Sequence, residues 1–167
     1  MEVIDNFLTE DLFNPIQELM MGTKFPWFYN SGILHPNEPD RFQFAHLFWL
    51  SGHDSMSDHL VVLDPCLEKL GVVKDGQLVG DLRRIKANLT TQTSFNKNTG
   101  FHIDYPRMKT SILYVNTNDG YTEFRDGSKV SSIANRMVIF DGGIEHQGIT
   151  CTNQKRRVVI NFNFYQL

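Results

Sequence analysis

From Gly80 onward the chain breaks into short β-type runs, Leu82–Leu89, Thr110–Val115, Arg136–Phe140 and Arg157–Tyr165, separated by turn formers such as Asn118-Asp119-Gly120, Asp126-Gly127 and Asp141-Gly142-Gly143. Several short strands at this spacing predict a sandwich or a barrel. The last run, "RVVINFNFY", has two unlike faces. As a strand it places Val158, Ile160, Phe162 and Phe164 on one side, which reads as core. Arg157, Val159, Asn161 and Asn163 fall on the other side, which reads as the wall of a polar cavity. Arg157, and not Arg156, belongs to that wall.

The first half has a different texture. Thr9-Glu10-Asp11 suits a helix start, with Thr9 as cap and the acids at the positive end. A helix is expected within residues 10–22, ended by Gly22, or starting at Asn14 so that Pro15 falls in its first turn. Residues 41–50 read as a strand, with Phe42, Phe44, His46 and Phe48 alternating. Leu60, Leu63, Leu67 and Leu70 have helical spacing, divided at Asp64-Pro65 and stopped at Gly71.

The 167 residues fit one domain: helical and aromatic support over about 1–79 and a β-barrel core over about 80–167, with no repeat or linker between them. Sixteen Lys and Arg against 19 Asp and Glu leave a net charge of −3, and no basic run appears, so nucleic acid is not an expected partner. Cys66 and Cys151 form neither a CxxC nor a disulfide-rich pattern, which fits a reducing compartment. The acidic N-terminus lacks an export signal, and nothing approaches the ~20 apolar residues of a membrane span. A cytoplasmic location is expected.

The segment "FHIDYP" places His102 and Asp104 two residues apart, hence on one face if extended. A site that binds Fe(II) and keeps positions open for co-substrates takes two histidines and one carboxylate. The only later histidine is His146, which follows "NRMVIF" within the glycine-bearing loop "DGGIEHQG". An HxD pair alone is a weak signal. Arg157 strengthens it, because a planar, permanently charged fork at the cavity wall suits the far carboxylate of a metal-chelating keto acid.

Together "HIDYP", "TSILYVN", "GYTEFRDGSKVSSIANRMVIFDGGIEHQG" and "RRVVINFNFY" resemble the successive strands of the Fe(II)- and 2-oxoglutarate-dependent oxygenases, in their prolyl-4-hydroxylase-like branch, over roughly residues 80–167. "FPWFYN", "RRIKANL" and "YVNTNDGYTEF" look further like small members encoded by tailed phages of marine bacteria. The resemblance implies a double-stranded β-helix, a cupin-like jelly-roll barrel. It implies iron held by His102, Asp104 and His146, with O2 consumed and ascorbate as reductant. It also implies that Arg157, with Arg156 in reserve, anchors 2-oxoglutarate, joined by Tyr114. One departure is visible: where prolyl hydroxylases carry a pocket tyrosine before the HxD motif, "RRIKANLTTQ" offers Leu89; either Asn88 or Lys86 lines the pocket by a different arrangement, or the face they share with Arg84 is an exposed strand edge.

The expected activity is hydroxylation of a protein side chain, prolyl or other, or of a small molecule, with formation of succinate and CO2. Arg125 and Tyr105 are placed near the mouth. Two other readings compete. One is a cupin-like metal enzyme for which Arg157 is dispensable. The other is a β-sandwich binding module whose aromatic front, Trp27, Phe28, Tyr29, Phe42, Phe44, Phe48 and Trp49, docks a partner, although such rings more often form core. His35, His46, His53 and His59 have no compact zinc-ligand spacing and are expected at surface or core positions.

Overall fold

The computed structural model describes residues 1–35, 38, 41–53 and 56–165. The elements in chain order are β1 (Glu2–Ile4), α1 (Glu10–Met21), β2 (Phe28–Asn30), β3 (Gln43–Leu50), a short 3₁₀ helix (Leu60–Leu63) and α2 (Asp64–Lys69). Then come β4 (Val73–Lys74), β5 (Gln77–Leu78), β6 (Asp81–Thr91), β7 (Lys109–Tyr114), β8 (Tyr121–Phe124), β9 (Lys129–Ser131), β10 (Arg136–Asp141), β11 (His146–Ile149) and β12 (Arg156–Tyr165). Seven strands form the major sheet in the order β1-β10-β7-β12-β6-β3-β2; β11-β8-β9 form a minor sheet, and β4-β5 a hairpin. The fold is thus mostly β, an antiparallel jelly roll whose edge strands β1 and β2 come from the first 30 residues.

Each face of the major sheet has its own core. Ile85, Leu113, Met137, Ile160 and Phe162 point to the helices and pack against Ile16, Met20, Leu63 and Leu67. On the other face Ile112, Tyr114, Val138, Phe140 and Val159 meet Phe124 and Val130 of the minor sheet. At about 25 cal/mol per Å² of apolar surface buried, these two layers are the main source of stability. The alternation read from "RVVINFNFY" therefore describes β12 faithfully, because a central strand must satisfy two different layers at once.

Several expectations need correction. Helix α1 runs Glu10–Met21 and ends at Gly22 as expected, so the alternative start at Asn14 does not hold and Pro15 lies in the helix interior. The missing proline N–H leaves only the carbonyl of exposed Asp11 without its helical partner, a cost borne at the solvent side. Thr9 caps with its backbone carbonyl, which accepts from Leu12 and Phe13 (3.1 and 2.9 Å), and not with its hydroxyl. The leucine segment does divide at Asp64, where the 3₁₀ helix gives way to α2. His146 opens strand β11 and does not lie in a loop. The aromatic front is split: Phe48 is buried and Trp27, Phe44 and Trp49 pack on the core, but Phe28 and Tyr29 are more than 60% exposed and Phe42 is 44% exposed.

Candidate metal centre

His102 and His146 are brought together by the backbone. They form an antiparallel bridge in which each N–H donates to the other's carbonyl at 3.0 Å, and Asp104 N–H donates to the Gly142 carbonyl at 3.0 Å. The close approach needs a glycine at 142, where a Cβ would sit 2.5 Å from the Tyr105 carbonyl oxygen. The "FHIDY" segment is thereby zipped along the chain leading into β11, and the two imidazoles lie 4.6 Å apart. One ligand atom from each of His102, Asp104 and His146 lies within 4.8 Å of the others.

Each side chain of the triad is oriented. His102 Nδ1 lies 3.1 Å from the Gly100 carbonyl and His146 Nδ1 lies 3.0 Å from the Ile144 carbonyl. A carbonyl only accepts, so both Nδ1 atoms carry the proton and both Nε2 atoms present a lone pair, the arrangement a metal-binding histidine requires. Asp104 Oδ1 accepts from Arg84 Nη2 (3.2 Å), and Oδ2 accepts from Thr110 Oγ1 (3.0 Å) and Asn163 Nδ2 (3.1 Å). Burial works to raise the Asp104 carboxyl, but Arg84, His146, the Asn163 amide and His102 outweigh it and hold the group below the usual carboxylate range. Burial also lowers His146 below the ordinary histidine value. The centre therefore offers two imidazoles, each with Nε2 turned away from its carbonyl partner, and one carboxylate, which suits a divalent transition metal with open positions.

The triad opens into a cavity of about 520 Å³, walled also by Arg84, Lys86, Asn88, Thr90, Val159, Asn161 and Arg157. Arg157 is 5% exposed. Its Nε donates to Ser132 Oγ (2.9 Å), its Nη2 donates to Thr122 Oγ1 (3.3 Å), and the guanidinium stands 5.6 Å over the Tyr114 ring. Among the described residues no carboxylate pairs with it. A guanidinium buried without an acid is costly by several kcal/mol, which an anionic ligand would offset. Nη1 has no hydrogen-bond partner among the described residues and lies beside Gly148 at the cavity wall.

The other candidate residues fall in different places. Arg156 faces the opposite side of β12 and donates to the Met21 carbonyl at the end of α1. Tyr114 is fully buried beneath Arg157, and its hydroxyl donates to Thr122 Oγ1 at 2.7 Å, so it supports the arginine from behind. Asn88 and Lys86 do face the cavity. Burial chiefly, with Arg84 adding, lowers the Lys86 ammonium. Tyr105 lines the cavity, whereas Arg125 pairs with Glu145 (3.4 Å) and stands over Phe101. His46 is held by the Pro26 carbonyl and Ser57, His35 lines the cavity, and among the described residues no second cluster of metal-type ligands occurs. Sequence reasoning missed Thr110, Thr122 and Ser132, which position Asp104 and Arg157. Thr122 lies on the four-residue β8 and Ser132 just beyond the three-residue β9, where alternation is too brief to show which way a hydroxyl points, and Thr110 meets Asp104 only through the tertiary fold.

No family model and no curated protein matches the sequence. Solved structures do. A prolyl-4-hydroxylase from Pseudomonas putida matches with a TM-score of 0.58 at 16% identity, covering 99% of this chain and 92% of its own. A 2OG-Fe(II) oxygenase family oxidoreductase from Burkholderia pseudomallei matches with a TM-score of 0.66 at 8% identity, covering 98% and 84%. A Trichoplax adhaerens prolyl hydroxylase, solved with a hypoxia inducible factor oxygen degradation domain peptide fragment, matches with a TM-score of 0.65 at 14% identity, covering 98% and 82%. At such identities the likeness shows a shared jelly-roll fold over nearly the whole chain.

Proposed function

We propose that the protein is an Fe(II)- and 2-oxoglutarate-dependent dioxygenase. The observation that carries this reading is the buried, acid-free guanidinium of Arg157 in the same cavity as the His102, Asp104 and His146 triad. His102 Nε2, His146 Nε2 and an Asp104 oxygen hold Fe(II), and Arg157 receives the far carboxylate of 2-oxoglutarate. When bound, iron with 2-oxoglutarate and O2 supplies the oxidising chemistry, giving succinate, CO2 and a hydroxylated substrate, with ascorbate as reductant.

The chain's own contribution is positioning and charge. Thr122 and Ser132 fix the guanidinium fork, and Tyr114 supports it through Thr122. Arg84, Thr110 and Asn163 hold Asp104 ionised and aimed at the ion. Ile112 and Val159 supply an apolar floor. At Arg157, which is 5% exposed, a charged hydrogen bond to a ligand is stronger than in water.

The likeness to a prolyl-4-hydroxylase and to a prolyl hydroxylase solved with a peptide fragment favours hydroxylation of a substrate entering this cavity. A single domain, a host-cytoplasm location for a phage-encoded member and no nucleic-acid partner complete the reading; the free buried thiols of Cys66 and Cys151 support a reducing compartment. The test is succinate formation from 2-oxoglutarate by the protein with Fe(II), ascorbate and O2, beside its His102→Ala variant, together with anaerobic 2-oxoglutarate binding. Slow turnover lost in the variant supports the reading. Failure of both turnover and 2-oxoglutarate binding overturns it.

A further inference from the structure

Away from the metal cavity, a histidine of β3 meets a serine from the loop ahead of the 3₁₀ helix. Ser57 Oγ and His46 Nε2 lie 2.7 Å apart, and His46 Nδ1 lies 2.8 Å from the Pro26 carbonyl. A carbonyl only accepts, so Nδ1 carries the ring proton, and the Ser57 hydroxyl donates to the lone pair on Nε2. The same serine oxygen accepts from the His59 N–H at 3.1 Å. The imidazole is 5% exposed and packed by Phe25 and Phe48, with ring centroids 4.5 and 4.7 Å away. Burial chiefly, with His59 adding against the pull of the Pro26 carbonyl, lowers it below the ordinary histidine value. A hydroxyl bonded to a neutral base, whose far nitrogen is held by a third group, has the geometry of an activated nucleophile.

The pair opens on a space of its own. A hollow of about 390 Å³ is lined by both side chains and by Phe28, Leu47, Met56 and Asp58, and it shares no lining residue with the metal cavity. Phe28, 63% exposed and stacked 6.1 Å from the His46 ring, joins Leu47 and Met56 in offering apolar surface beside the serine. Asp58 is the one acid on this lining and no Lys or Arg stands there, so an anion is disfavoured. The Asp58 N–H, next in the chain after Ser57, has no acceptor among the described residues. Acyl-transfer sites place an oxyanion donor at that position, the N–H that follows the nucleophile.

We propose that Ser57 and His46 form a second active site, which hydrolyses uncharged carboxylic esters with a small acyl group. Ser57 Oγ attacks the acyl carbon and forms a C–O bond while its proton passes to His46 Nε2, and the oxyanion accepts from the Asp58 N–H. The bond to the alcohol then breaks, and the alcohol leaves with the proton from Nε2. Water repeats the attack on the acyl-serine, giving the carboxylic acid and restoring the Ser57 hydroxyl. No metal, oxidant or reductant enters, so this site stands or falls independently of the dioxygenase reading.

The test follows nitrophenol release from p-nitrophenyl acetate and from the anionic mono-p-nitrophenyl succinate by the full chain in EDTA, with acid-quenched samples mapped by mass spectrometry. Saturable release from the acetate ester is expected, with the acetyl group trapped on Ser57 and the succinate ester at least about tenfold slower. Ser57→Ala and His46→Gln should each lower the rate about 100-fold or more, while anaerobic 2-oxoglutarate binding to the Fe(II) form stays unchanged in Ser57→Ala. An acetyl group found only on other residues, a rate that survives Ser57→Ala, or equal use of the anionic ester would each overturn the assignment. If His46→Gln does not fold, a fluorophosphonate decides on wild-type protein: it must label Ser57, and labelling elsewhere alone sinks the proposal. A serine that merely ties the loop to β3 would give a lower Tm in Ser57→Ala and a wild-type protein inert to both esters, which likewise overturns it.

Discussion

Two adjacent arginines on β12 have opposite tasks because side chains alternate along a strand. If Arg157 anchors the co-substrate as proposed, Arg157→Met removes a buried, charge-assisted bond, and 2-oxoglutarate affinity should fall about 10- to 150-fold by anaerobic titration. Arg156→Met loses only its contact with the Met21 carbonyl, so that affinity should stay unchanged while stability falls by about 1 kcal/mol in urea unfolding. Reversed effects would place the anchor on the other face. A third residue tests the same site through space alone. A Cβ at Gly120 would lie 2.7 Å from Arg157 Cδ and 2.6 Å from the Ile149 carbonyl oxygen. Gly120→Ala should therefore cost about 1–3 kcal/mol of stability and weaken 2-oxoglutarate binding as well, because the arginine stem must move. Unchanged affinity in a folded Gly120→Ala protein would mean that Arg157 has room the structure does not show.

Elements are joined here by a few specific side chains. Asn135 precedes β10 with φ of 63°, a left-handed conformation that asparagine tolerates, and its amide bonds both Leu8 N–H (2.9 Å) and Leu8 C=O (2.8 Å) ahead of α1. Asn135→Ala should lower stability by about 2–4 kcal/mol in urea unfolding, because two buried backbone groups lose their partner and alanine resists this backbone. Asn135→Gly should recover only the backbone share. The sequence carried no sign of this tie, since nothing local links residue 8 to residue 135. What was legible followed from periodicity and spacing: β6, β7, β10 and β12 were long enough to show themselves, and the HxD pair with Arg157 could be named from parity on an extended chain. What was not legible depended on tertiary pairing. Strands β8, β9 and β11 are three or four residues long, His146 sits in a strand because it pairs with Phe124 of β8 and is bridged by His102, and Thr122 and Ser132 reach Arg157 through the fold. The exposed Phe28 and Tyr29 of edge strand β2, and Phe42 just ahead of β3, show a related limit, since hydrophobicity alone does not tell which rings a sheet edge leaves uncovered.

At the scale of the whole molecule, the candidate metal site links the two sheets. Asp104 is held by Thr110 of β7 and Asn163 of β12 in the major sheet, while His146 begins β11 in the minor sheet. An ion bound to both should act as a clasp, and at 100 times its Kd it adds about 2.7 kcal/mol, roughly 5–10 °C in Tm for a chain of this size. The protons compete with it. Burial lowers both His46 and His146 below the ordinary value of 6.5, so the unfolded chain binds protons more readily than the folded one as pH falls through that value. The stability these two neutral imidazoles contribute is fully present above pH 6.5 and declines as pH drops from there toward their folded values. Metal-free protein should thus melt lower at pH 5 than at pH 7.5, and the Tm gained on adding Mn(II) should be smaller at pH 5, because a protonated imidazole cannot ligate. Asp104, held below the usual carboxylate range, stays ionised across this interval and cannot produce the same effect. Differential scanning fluorimetry at the two pH values separates these roles: a Mn(II)-dependent gain equal at both would show that the imidazoles are not ligands, whereas a gain lost at pH 5 and lost at every pH in His146→Gln would tie the clasp to that ring.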